Sequence, residues 1–134
     1  MDAFERLLRD ALRIAERMLL EHGDVMPFGL SESNDGQGQM HVVRGNFQYP
    51  SEIVPPLMEQ LRLAAGDGSL RALAVITAVY VNAPSGEKVT AVRVDCEDAS
   101  GNALTWYLPF ETKPGDVTFG KPFTARHEAR IFVT

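Results

Sequence analysis

The run Ala-Leu-Ala-Val-Ile-Thr-Ala-Val-Tyr-Val at residues 72–81 decides the fold. It is apolar on both alternating faces, with Ala72, Ala74 and Ala78 on one and Val75, Val79 and Val81 on the other. A strand of that kind is central in its sheet, and its small residues leave room for a closely pressed helix.

Downstream the extended period continues. After the Pro84, Ser85, Gly86 turn, residues 88–98 alternate Val92, Val94 and Cys96 with Arg93, Asp95 and Glu97. A turn at residues 100–102 leads into Leu104, Trp106, Leu108 and Phe110 against Thr105 and Tyr107. Pro109 has no N–H to give a ladder, which argues that the end of this strand lies at an edge. A short stretch around Val117 and Phe119 and a last strand at residues 130–133 complete the chain.

Upstream the period is helical. Residues 3–22 carry Phe4, Leu7, Leu8, Ala11, Ala15, Met18 and Leu19 at steps of three and four, with Asp2 and Glu5 as a start signal and Gly23 as a stop. Met26, Phe28 and Leu30, the Asn34-Asp35-Gly36 turn, and Met40 and Val42 read as a hairpin. Val54, Leu57, Met58, Leu61 and Ala65 form a second helix, with Pro55 and Pro56 in its first turn, where the missing N–H groups cost little.

The order α-β-β-α-β-β-β(-β) with short turns between strands predicts an α+β fold, with two helices packed on one face of a curved antiparallel sheet. Length, 134 residues, fits a single domain over 1–134. The same element order occurs in the profilin-like sandwich of roadblock-type regulatory proteins and in the cone of the nuclear-transport-factor and ketosteroid-isomerase type. That likeness is one of element order and carries no residues across.

Thirteen basic and 18 acidic side chains give a net charge of −5, which argues against nucleic acid and membranes as partners. Arg6, Arg9, Arg13 and Arg17 form the one basic cluster, interleaved with Asp2, Glu5, Asp10, Glu16 and Glu21 so that the local field largely cancels. The single Cys96 fits a reducing, cytoplasmic setting. Ten arginines against three lysines suggest a GC-rich bacterial genome.

No phosphate loop, dinucleotide glycine pattern, nucleophile elbow or zinc-protease helix is present, and no cofactor is expected. His22, His41 and His127 have no ligand spacing, so no metal is expected either. Cys96 shares the register of Val92 and Val94 and reads as a buried core residue.

The catalytic candidates are Asp95 and Glu97, with Tyr107 or His41 as hydrogen-bond donor. If the sheet curls around an apolar pocket, a carboxylate there can act as a general base. The simpler expectation is a solvated strand face, on which Asp95→Asn leaves stability unchanged. Trp106, Leu108 and Phe28 are the interface candidates, the first two because their strand reads as an edge that a partner covers. The leading functional expectation is a non-enzymatic protein-binding, adaptor, regulatory or toxin-neutralising domain, with another protein or a second copy as partner. The alternative is a small-molecule binder or a lyase- or isomerase-like enzyme.

Overall fold

The structure is a computed structural model, and it describes residues 2–127 and 130–132. Helix α1 spans Ala3–His22: the Glu5 N–H donates to Asp2 Oδ1 at 2.8 Å, and Gly23, at φ 75°, ends the helix by donating to the Leu19 carbonyl. Strands β1 (Phe28–Ser33) and β2 (Gly38–His41) form the hairpin. Gly36, at φ 90°, takes the left-handed position of a turn in which its N–H bonds the Ser33 carbonyl while Ser33 N–H bonds that of Gln37. Helix α2 (Val54–Ala65) has both prolines in its first turn.

The long meander follows as β3 (Leu70–Asn82), β4 (Lys88–Asp98) and β5 (Ala103–Lys113), then β6 (Asp116–Phe119) and β7 (Phe123–Arg126). Together they make a curled antiparallel sheet of seven strands in the order β2-β1-β3-β4-β5-β6, with β7 also on β5. The α+β class and the central place of β3 are as the sequence predicts. Among the described residues, no helix is long and apolar enough to cross a membrane.

Three expectations are corrected. The helices lie on opposite faces of the sheet, not on one. α1 packs with Ala72, Ala74 and Ile76, and α2 with Leu73 and Val75, which alternate with them on β3. The reason is the composition of β3: a strand apolar on both faces needs cover on both. Ala11 and Ala15 of α1 and Ala72 and Ala74 of β3 are all fully buried, so the small residues do mark a close helix contact.

Second, β5 is not an edge. Residues 104–107 pair with β7 and residues 110–113 with β6, and Pro109 falls in the gap between these two partners. Its carbonyl still accepts from Gly120 N–H at 2.8 Å. Third, residues 130–132 form a bend rather than a strand; Val133, which closes the expected strand, lies outside the described residues.

Cys96 lies in the α1-side core, and burial, reinforced by the Asp95 charge, pushes its thiol up to about 12. We expect the native protein to resist alkylation at pH 8 and the urea-unfolded chain to react at once. Mass spectrometry after an iodoacetamide pulse reads this, and rapid labelling of the native chain would contradict the placement.

Candidate functional site

Arg93, Asp95 and Glu97 alternate onto the α2 face of β4, where Asp95 lies opposite Val75 and Thr105 and Glu97 opposite Leu73. The two carboxylates are not solvated there: Asp95 is 5% exposed and Glu97 1%. The expectation of a wet strand face fails because α2 covers only part of this side of the sheet and His127 with residues 130–132 covers the next part. Ile131 completes the α2-side core with Leu57, Leu61 and Leu73.

Each carboxylate is engaged from within. Glu97 Oε1 accepts the backbone N–H groups of Arg130 (2.9 Å), Ile131 (2.9 Å) and Phe132 (3.3 Å), so one oxygen holds the whole bend. Asp95 Oδ1 accepts from the Thr105 hydroxyl and from Arg93 Nε at 3.1 Å, and its Oδ2 accepts from Arg130 Nη2 at 3.2 Å. Thr105 has one proton, and with that proton on Asp95 its oxygen accepts from His127 Nδ1 at 2.8 Å. The other ring nitrogen of His127 lies 3.9 Å from Glu97 Oε2. A buried charge is tolerable when it is paired and hydrogen-bonded in this way.

Tyr107 is brought to the same face as the Cα partner of Arg93, and the Arg93 guanidinium sits 5.8 Å from its ring centroid. It also stacks on Phe123, with centroids 4.9 Å apart. His41 is not brought to this cluster. It is on β2, with β1 and β3 between it and β4, a separation of about 14 Å at the usual strand spacing. It is buried, its Nε2 lies 2.7 Å from Ser31 Oγ, and burial lowers its pKa, which keeps the ring neutral. Beside the cluster, an open groove of about 380 Å³ runs between Val54 and Met58 of α2 and Val75, Arg93 and Arg130. Among the described residues, no group of three or more His, Cys, Asp or Glu side chains is arranged to hold a metal.

The interface candidates are placed inside. Phe28 is fully buried and Leu108 nearly so, both in the α1-side core, and Trp106 is half-buried against the same core. The stripe they belong to is apolar because it faces α1. Among the described residues β2 pairs with β1 alone, so the open apolar edge lies at the other end of the sheet. There Met40 is 42% exposed and Val42 47%, with Met26 exposed beside them.

Between this edge and α1 runs a trough in two consecutive parts. Arg9, Arg13 and Ile14 face Leu30, Gln39 and Met40 across the first, of about 350 Å³. Met18 and Met26 face Val42 and Phe47 across the second, of about 250 Å³. Sequence reading missed Thr105, His127 and Arg130, which no local pattern marks. Met40 was legible as a strand residue, whereas Val42, read into the same strand, lies just past the end of β2, and the alternation does not say which strand ends the sheet. No protein family, curated protein or solved structure matches the chain.

Proposed function

We propose that the chain is a protein-binding domain of a cytoplasmic bacterial protein, with an adaptor or regulatory role rather than a catalytic one. The observation that carries this reading is the β2 edge, where unpaired backbone and the exposed side chains of Met26, Met40 and Val42 border a trough open to solvent. Sheet edges of this kind are normally blunted or covered, because they pair readily with another chain. The carboxylate cluster supports the same reading. A general base needs a free oxygen aimed at a substrate, whereas Asp95 and Glu97 are held by internal donors.

A photo-reactive residue at position 40, in chain expressed in its native cells, is expected to form adducts with a polypeptide of different mass. The same residue at position 113, on the far side of the sheet, is expected to form none. Adducts of twice the chain's own mass, or equal labelling from both positions, would contradict the reading. A second reading, a small-molecule binder, is favoured by the groove beside α2, where Arg93 and Arg130 stand against an apolar wall.

A further inference from the structure

Oxidisable sulfur is distributed unevenly over this chain. The one thiol, Cys96, is fully buried in the α1-side core, and burial pushes it up to about 12, so it supplies no thiolate for a peroxide to attack. Met58 is 8% exposed, in the core under α2, and Met18 is partly buried against the α1-side core. Among the described methionines only Met26 and Met40 stand open, at 44% and 42% exposure.

Both open thioethers belong to the trough between α1 and the β2 edge. Met40 lines its first part, and Met26 lines its second with Met18, Val42 and Phe47. The backbone puts Met40 where a pairing chain must come. Ser33 N–H bonds the Gln37 carbonyl, so by the antiparallel alternation Gln39 and His41 direct their polar groups to β1, while Met40 directs its N–H and carbonyl outward. Its side chain stands opposite Leu30, on the α1 side of the sheet, and lies directly against any strand added there.

Resting on the protein-binding reading above, we propose that Met26 and Met40 form a reversible modification site, at which oxidation to the sulfoxide by a hydroperoxide releases the partner from the β2 edge. The sulfur lone pair takes the terminal oxygen of the peroxide, the O–O bond breaks, and the departing hydroxide or alkoxide keeps the terminal proton and leaves as water or alcohol. Sulfur loses two electrons and the peroxide gains them. The product carries a strong acceptor oxygen in place of an apolar thioether, and burying that oxygen under a partner's apolar side chains leaves it without a donor. Because Cys96 is shielded and Met58 is covered, the response of the described chain to peroxide is concentrated at its binding edge.

The test uses the full chain with a photo-reactive residue at position 42, which is exposed at the same edge and leaves both methionines in place. The purified chain is treated with hydrogen peroxide, freed of it, mapped by peptide mass and irradiated in a desalted lysate of its native cells. The map is expected to show sulfoxide at Met26 and Met40 while Met58 and Cys96 stay reduced, with the circular dichroism of the untreated chain. Polypeptide adducts are expected to fall by about tenfold and to return after treatment with methionine sulfoxide reductases of both epimer classes. Met26→Leu with Met40→Leu keeps side-chain volume and removes the sulfur, and this chain is expected to keep its adducts through the same treatment. Oxidation of Met58 as fast as of Met40, undiminished adducts from the oxidised parent, or equal losses from the parent and the leucine chain overturns the inference and leaves the protein-binding reading in place. No adducts from the untreated parent would remove that reading, and the inference with it.

Discussion

Glu97→Ala is expected to destabilise the protein by about 3–5 kcal/mol, the largest effect of any single polar substitution in this chain. The carboxylate oxygen that accepts from Arg130, Ile131 and Phe132 is replaced by nothing, and no water-filled route replaces it at a residue 1% exposed. Three backbone donors lose their acceptor together, and Ile131 loses the anchor that holds it against Leu57, Leu61 and Leu73. A domain of this size is stable by about 5–15 kcal/mol, so about a fifth of that margin or more is at stake. Urea unfolding should show the midpoint falling by about 2 M. Glu97→Gln keeps an oxygen in the same place and is expected to lose less than half as much. A Glu97→Ala midpoint within about 0.3 M of the parent would mean that the bend is held by other contacts.

Asp95→Asn comes second, at about 2–3 kcal/mol of lost stability. The amide oxygen can still accept from Thr105 and Arg93, but the amide N–H groups then face Arg130 Nη2, donor against donor. Arg130 is half exposed and can turn to water, which limits the loss. The sign of the effect separates two accounts of this residue. A carboxylate retained for chemistry is commonly held at the expense of stability, and neutralising it then stabilises the fold. A carboxylate that fastens strands β4 and β5 to the segment after β7 destabilises when neutralised. Thermal unfolding reads the difference, and a Tm at or above that of the parent would favour the catalytic account of Asp95.

Much of the fold is legible locally. The limits of α1 follow from Asp2 and Gly23, whose capping roles act within a single turn of helix. The central place of β3 follows from its two apolar faces, and the same fact contains the correction to the helix placement. If both faces are apolar, two helices on one side leave Leu73 and Val75 wet. The same-face placement of Arg93 and Tyr107 also follows from alternation, once the turn at residues 100–102 fixes the register.

What was not legible is set by long-range cover. Nothing near Asp95 and Glu97 in sequence says that His127 and residues 130–132 will close over them, since a buried, satisfied carboxylate and a solvated one have the same local pattern. Pro109 shows the same limit. A missing N–H marks an unpaired position, but a gap between two short partner strands provides one as well as an open edge does.

The account places binding at the β2 edge and gives the carboxylate cluster an internal role. Amide hydrogen exchange of the chain, alone and bound to the partner trapped from position 40, tests both halves at once. The predicted result is new protection of Met40 N–H and its neighbours at residues 38–42, with residues 93–97 and 130–132 unchanged. Protection appearing at residues 93–97 and 130–132, with none at Met40, would contradict the account and move the functional surface to the groove beside α2.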